Sequence, residues 1–563
     1  MNAAADSLSP YVSRRAAQCL ALTIVGVLTL RLLVSILLHP LRIGWDPSLH
    51  LMCATLICQG KLPYVDMFDV NPPLIWYLNT LPAFLSGLTS VPLPLAFNLF
   101  LLFMFALSGL MASYIIVCKL DKRDILVNLG VVLGLLASNF FLTVDFGQRE
   151  EIFVLLFMPY FFLRAARWQG GQTVKISTAE AVFFGLVGAA GLFMKHYFLL
   201  NLLCVEFFFF VSARGKTLVQ RLKLLFAAEN LSMAVFGLIY VGHFFFLPQA
   251  VRHSYFDFLL PAFSKGYYFW DTTVPNNLSV PYKRNVFFLL TASGAASFAI
   301  VRRYPIVGAI LSFSLAGLVV YLVQFKGWAY QDIPVLAGGF MLVGALLGAF
   351  VTNIVARLSF RSGPVDQGDQ GKTSRSQAAS PATVAAYAIS VLVAGFCLVS
   401  ASDEMQQVGA LPQFDMSRIG YSGNAPMLDV DTPYTKTILE NSKTGDPILF
   451  ISNAVSPGFP ISMQLRRVPA SRHLHVCILS VLQYIRSSSV RDDLTKRLLD
   501  QEPVVAEQLG QDILNNKPAI VFFQTSPCRD DYLSKYDFVE KYLSDYKIIE
   551  TIDNFAVYKR NTR

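Results

Sequence analysis

With 563 residues, 54% hydrophobic content and a mean hydropathy of +0.50, the chain is too apolar for an ordinary water-soluble protein and belongs in a bilayer. Its net charge of +9 is unevenly spread: residues 403–563 hold 20 of the 37 acids and 18 of the 46 bases, so a long apolar part precedes a soluble tail. Eight cysteines without CxxC or Cys/His ligand spacing indicate neither a zinc site nor a disulfide framework, a Cys477–Cys528 bond in the tail being as open as two free thiols, and nothing points to nucleic acid.

Apolar runs long enough to cross a bilayer fall at 16–39, 92–118, 125–143, 152–168, 178–195, 197–213, 224–247, 285–301, 305–325, 332–352 and 382–401. They predict a polytopic α-helical membrane protein with about eleven transmembrane helices. With the N-terminus inside, 18 of the 28 bases in residues 1–402 fall on the cytoplasmic side and nine outside, as the positive-inside rule requires. The first run is too long for the apolar region of a cleavable signal and reads as a retained anchor. Arg31 and Glu206 sit within apolar runs, where each needs a partner or a water path.

Directly after the first span stands Gly44-Trp45-Asp46-Pro47-Ser48-Leu49-His50. Asp before Pro reads either as a helix cap or as a carboxylate at the water–lipid boundary that deprotonates or orients an acceptor hydroxyl. Residues 40–90 are too polar and Pro-rich for a span, but Leu49, Leu56 and Ile57 recur at helical spacing, so the stretch reads as an outer loop with interfacial helices. It also carries Asp66 and Asp69, which share a face if helical and point oppositely if extended.

The topology places Asp46, Asp66, Asp69, Asp145, Glu150, Glu151, Asp257, Asp271 and Asp332 at or beyond the outer ends of spans, with Arg149, Lys195, Arg252, Lys265 and Lys326 at the same level. Both signs therefore converge on the outer rim. Trp45, Trp76, Trp328 and Tyr330 serve there as interface anchors or as stacking surfaces. Residues 358–381, rich in Gly, Ser and Gln, form a connector before the last span. The tail, 403–563, is an α/β domain: 447–451 and 519–523 read as buried strands, helices fall near 490–500 and 503–514, a helix starts at Thr432-Pro433, and 546–559 form a hairpin split at Asp553-Asn554.

The run Gly60-Lys61-Leu62-Pro63-Tyr64-Val65-Asp66-Met67-Phe68-Asp69-Val70-Asn71-Pro72-Pro73, following Asp46, resembles the GT-C superfamily of membrane glycosyltransferases, in the bacterial group allied to protein mannosyltransferases and lipid A aminoarabinose transferases. Asp145-Phe146-Gly147-Gln148-Arg149-Glu150, Lys195-His196-Tyr197-Phe198 and Lys326-Gly327-Trp328-Ala329-Tyr330 follow in the order and on the side that the resemblance implies, so it covers roughly residues 10–400. It implies a GT-C-type catalytic domain over 1–402 and an accessory domain over 403–563 on the periplasmic side of a bacterial inner membrane. The implied reaction moves a hexose or pentose, with inversion, from a polyprenyl-phosphate donor to an envelope glycan such as lipopolysaccharide, to a lipid or, as second choice, to protein. Asp46 is then the base, Asp66 or Asp69 places the acceptor or the sugar hydroxyls, and Arg149, Lys195 and Lys326 hold the phosphate. Glu150, His196, Trp328 and Tyr330 complete the substrate site. No cofactor is implied with certainty, and a divalent cation held by the acidic loop is left open. A polysaccharide polymerase or ligase and a lipid-linked sugar transporter are the rival readings. A transporter calls for ionisable groups near the midplane and paired repeats, whereas here the charges crowd the rim.

Overall fold

The computed structural model describes residues 14–38, 43–89, 91–120, 124–142, 145–169, 175–213, 215–273, 275–276, 280–361, 432–488 and 492–561. Each apolar run from 16–39 to 332–352 coincides with a helix. These are α1 (Arg14–Leu38), α4 (Leu93–Lys119), α5 (Ile125–Ser138), α6 (Arg149–Gln169), α7 (Thr178–Leu192), α8 (Leu199–Ser212), α10 (Ala228–His243), α13 (Pro281–Ser297), α14 (Pro305–Gln324) and α15 (Ile333–Arg361). Between α1 and α4 the outer loop holds α2 (Trp45–Cys58) and α3 (Leu74–Thr89); shorter pieces are α9 (Leu218–Leu225), α11 (Gln249–Arg252) and α12 (Leu260–Gly266).

Five helical stretches among the described residues are long and apolar enough to cross a membrane: Arg15–Leu37, Leu93–Lys119, Ala228–Phe246, Pro305–Gln324 and Ala329–Val355. The other runs counted toward eleven spans coincide with helices that are shorter or more charged. Ile125–Phe141, Thr178–Leu192 and His196–Ser212 fall short in length; α6 carries Arg149, Glu150, Glu151, Arg164 and Arg167, and α13 opens with Lys283 and Arg284. The run at 382–401, the connector beyond Arg361 and the boundary at 402/403 lie outside the described residues.

α6 is buried along nearly its whole length and packs against α4, α7 and α15. The closest helix pair is α5 with α15, and glycine makes it possible: a Cβ on Gly130 would lie 2.1 Å from the carbonyl oxygen of Gly344, and one on Gly344 would lie 1.9 Å from that of Gly130. Gly134 and Gly348 repeat the contact one turn along each helix, the small-xxx-small arrangement that lets two backbones touch in a bilayer. Both ionisable groups in apolar runs find partners. Arg31 lies over the Phe140 ring at 4.7 Å. Glu206 on α8 accepts from Nε and Nη2 of Arg164 on α6, whose Nη1 donates to Glu229 on α10 at 2.6 Å, while Arg167 donates to the same Glu229. This buried network ties three helices together about four turns along α6 from Arg149.

The tail is the expected α/β domain. Its sheet runs β2-β1-β3-β5-β4, with β1 (Pro447–Ile451) parallel to β2 (Val468–Pro469) and β3 (Ile520–Gln524), and β5 (Phe555–Arg560) antiparallel to β3 and β4 (Tyr546–Ile552). Strand alternation sends Ile448, Phe450, Ile520 and Phe522 to one face, where Tyr434 and Ile438 of α16 (Pro433–Asn441) cover them, and the Phe450 and Phe522 rings stack at 4.3 Å. Thr432 caps α16 by accepting from the Thr435 N–H, as its place before Pro433 predicts. Leu449, Ile451, Val521 and Phe523 face the other way and join the core that continues into the helical part. Helices α17 (Gly458–Gln464), α18 (Cys477–Ser487), α19 (Asp493–Leu499) and α20 (Glu502–Asn516) fill the connections. Cys477 and Cys528 are both buried free thiols.

The tail is docked on the outer loop and on α12. The Phe68 N–H donates to the Arg472 carbonyl at 2.8 Å and the Phe68 ring stacks on His473 at 4.6 Å. Lys265 on α12 donates to both carboxylate oxygens of Asp492 at 2.7 and 2.6 Å. Gly266 leaves room for Val481 of α18, since a Cβ there would lie 2.6 Å from a valine methyl.

Candidate active site

The start of α2 bears on the capping reading of Asp46. Gly44, extended at φ −76° and ψ 177°, is the N-cap, and no side chain caps the helix, so Asp46 lies in the first turn with its carboxylate unused for capping. Asp46 is half-buried and makes no hydrogen bond or ion pair among the described residues. Burial lifts its pKa above the ordinary carboxylate value; Arg149 and Lys195 pull it back, and Asp69 and Glu150 push it further up. Among the described residues this carboxylate, without a hydrogen bond or ion pair, therefore lies in the field of Arg149 and Lys195 and of the acids Asp69, Glu150 and Asp145.

Those groups come from separate elements. Arg149 opens α6 and is 5% exposed; one Nη donates to Asn71 Oδ1, while its Nε is buried without a hydrogen-bond partner among the described residues. Glu150 follows it, 1% exposed, with Oε1 accepting from Lys195 Nζ at 2.8 Å and Oε2 unpartnered. Lys195, in the turn between α7 and α8, also lies 5.6 Å from the centre of the Tyr330 ring, and its pKa is lowered by burial against the opposing pull of Glu150. Tyr330 is 9% exposed and flanked by Trp328, whose other neighbour is Tyr267. Asp46, Arg149, Glu150, Lys195 and Tyr330 thus converge, as their shared level on the outer rim predicts.

The remaining expected site residues divide. Asp69 is buried beside the cluster: Oδ1 accepts from the Val70 N–H and Oδ2 from Asn71 Nδ2, each at 2.8 Å. Asp66 is three residues away but serves its own turn, accepting from the Leu62 N–H at 2.8 Å. Lys326 is buried over the Tyr267 ring, bonded to the Tyr267 carbonyl at 2.7 Å and ion-paired with Asp271. His196 is exposed and packs on Tyr197 at 4.0 Å. Among the aromatics, Trp45 is 57% exposed, whereas Trp76 is fully buried and donates its indole N–H to His50 Nδ1 at 3.2 Å.

No family model matches the chain, and no curated protein sequence matches it. Among solved structures it is similar to the archaeal oligosaccharyltransferase AglB from Archaeoglobus fulgidus in complex with an inhibitory peptide and a dolichol-phosphate, at 14% identity and a TM-score of 0.42, over 96% of this chain and 74% of that one. A crystal structure of the Archaeoglobus fulgidus oligosaccharyltransferase in complex with Zn and sulfate gives 14% identity and a TM-score of 0.39, over 95% and 73%. Likeness at this level transfers no residue roles, so the chemistry rests on this chain's own side chains.

Three residues of the site were not assigned from sequence. His50 lies one turn beyond Asp46 on α2, a spacing that puts both on one face. Its Nδ1 accepts from Trp76, so the proton is on Nε2, which is buried without a partner among the described residues; burial, Arg149 and Lys195 hold its pKa well below the usual histidine value, leaving it neutral. Asn71 stands in the quoted run without a role there. His475 comes from the tail, its Nε2 3.9 Å from Asp69 Oδ1, opposite His50 at 3.9 Å from Oδ2. Nothing in the tail sequence marks His475. Among the described residues no three His, Cys, Asp or Glu side chains come together as a cation site.

Proposed function

We propose that the chain is an inverting glycosyltransferase that moves a sugar from a polyprenyl-phosphate donor to a hydroxyl of a cell-envelope glycan or lipid, at the periplasmic face of a bacterial inner membrane. The observation that carries this reading is an Asp46 carboxylate, unpartnered among the described residues, facing the buried Arg149 and the half-buried Lys195. In the scheme, Asp46 takes the proton of the acceptor hydroxyl as that oxygen bonds to the anomeric carbon. The bond from that carbon to the phosphate oxygen breaks, and the electron pair leaves with the lipid phosphate. Arg149 and Lys195 meet the charge that grows on it: the unused Nε–H of Arg149 is a donor in search of an anion, and Lys195 adds a compact charge already partly neutralised by Glu150. Tyr330 and Trp328 wall the space beside Lys195 with aromatic surface, suited to a sugar face. The raised pKa of Asp46 makes it a better proton acceptor than a solvated carboxylate. Lys326, already ion-paired with Asp271, is the weaker phosphate ligand.

The test is equilibrium binding of a polyprenyl monophosphate to the purified protein. Arg149→Met and Lys195→Met are each expected to weaken it by roughly tenfold or more, the worth of a charge-assisted bond in a buried site. Parent-like binding by both variants contradicts the phosphate assignment.

A further inference from the structure

We propose that Asn71 is the positioning residue for the Arg149 guanidinium, and that Asp69 acts on the reaction through Asn71 instead of meeting substrate. The inference rests on the reading of Arg149 as the phosphate ligand. An asparagine amide presents a donor at one end and an acceptor at the other, and which end points where follows from its neighbours. Asp69 settles it: as a carboxylate it only accepts, and it takes Asn71 Nδ2 at 2.8 Å. The carbonyl end, Oδ1, is thereby turned to Arg149, whose Nη1 it receives. Asp69 is itself fixed, 4% exposed, with its other oxygen on the Val70 N–H and the imidazoles of His50 and His475 at 3.9 Å on either side.

The consequence lies in what is left over. With one Nη held by Asn71, the planar fork of Arg149 has its orientation set, and its Nε–H is left buried and unbonded among the described residues. A buried donor without an acceptor is costly, so the site is organised for an anion that completes the fork. A guanidinium released from Asn71 loses that orientation. The line of contacts begins in the tail, because His475 closes one side of Asp69. The C-terminal domain therefore bears on the phosphate-binding arginine through Asp69 and Asn71.

The experiment measures equilibrium binding of farnesyl monophosphate, a short isoprenyl phosphate, to purified, monodisperse protein. The set is the parent, Arg149→Met as reference, Asn71→Leu, Asp69→Asn, and the exchange pair carrying Asp69→Asn with Asn71→Asp. In the exchange pair residue 69 gains the donor and residue 71 keeps an acceptor for Arg149, so the relay is restored with its polarity reversed. Asn71→Leu is expected to weaken binding roughly tenfold and Asp69→Asn several-fold, and the exchange pair to recover most of the loss. Parent-like binding by Asn71→Leu and Asp69→Asn, with Arg149→Met impaired, overturns the positioning role and leaves the phosphate site standing. Parent-like binding by Arg149→Met removes the phosphate site and this inference together. Weak binding by both single variants without recovery in the exchange pair also overturns the relay, because it leaves only a packing role. Should Asn71→Leu fail to fold, Asp69→Asn against the exchange pair still decides.

Discussion

Asp46 separates catalysis from scaffolding because its carboxylate supports no helix cap and no ion pair among the described residues, so its charge can be removed at little structural cost. Asp46→Asn is expected to leave folding and lipid-phosphate binding near parent values while slowing sugar transfer by roughly 100-fold or more. The parent rate should fall with acid as Asp46 takes up a proton, and should do so at a pH above the ordinary carboxylate range, because burial raises its pKa. The same acid limb should vanish from the residual rate of the variant; a rate profile with that limb intact assigns the base elsewhere. Asp46, Arg149, Glu150, Lys195 and Tyr330 were legible in the sequence because topology puts the end of each span at the same rim. Asp66 and Asp69 were not separable, since a spacing of three fixes relative direction only once the local backbone is known. The turn from Leu62 to Met67 turns Asp66 back onto its own loop and Asp69 inward. His475 was out of reach altogether, because it arrives through the docking of a domain more than 400 residues away in sequence from Asp69.

At the scale of elements, hydropathy runs found the helices well, since an apolar backbone in lipid has to satisfy its own hydrogen bonds. They were less able to say which helices are long and apolar enough to cross, as α6 shows by mixing a central, buried position with five charges. The tail strands β1 and β3 were legible as short apolar runs and the hairpin at Asp553-Asn554 from alternation and turn chemistry, whereas the two-residue β2 gave no signal. By contrast α18, which starts at Cys477 without a side-chain cap, gave no start signal. The contact between α5 and α15 carries its own prediction. Gly344→Ala places a methyl 1.9 Å from the Gly130 carbonyl oxygen, and two backbones cannot give way as a flexible side chain does. The change should destabilise the helical part by about 3 kcal/mol or more, read as a lower unfolding temperature in detergent. Gly26→Ala on α1, with no heavy atom within 4 Å of the new Cβ, is the matched control and should change little. Equal unfolding temperatures for the two variants would mean that this crossing is not the tight one.

On the scale of the molecule, a five-stranded α/β domain is held against the outer loop by the Phe68–Arg472 backbone bond and the Phe68–His473 stack, and against α12 by Lys265–Asp492. Because the docked loop belongs to the segment that carries Asp69, the tail and the charged rim share one compartment, which the proposal takes to be the periplasm. Alkaline phosphatase fused behind the tail should therefore be active in cells, and an inactive fusion alongside an active cytoplasmic reporter at the same point would place the whole site on the other face. The central claim, that this chain adds a sugar to an envelope acceptor, is tested most directly by mass spectrometry of envelope glycans from cells carrying the parent chain, no chain, or Asp46→Asn. The account predicts that one glycan species loses the mass of a single hexose or pentose without the chain, and that Asp46→Asn, though present in the membrane at parent level, fails to restore it. Identical glycans in all three cells, or full restoration by Asp46→Asn, would contradict it.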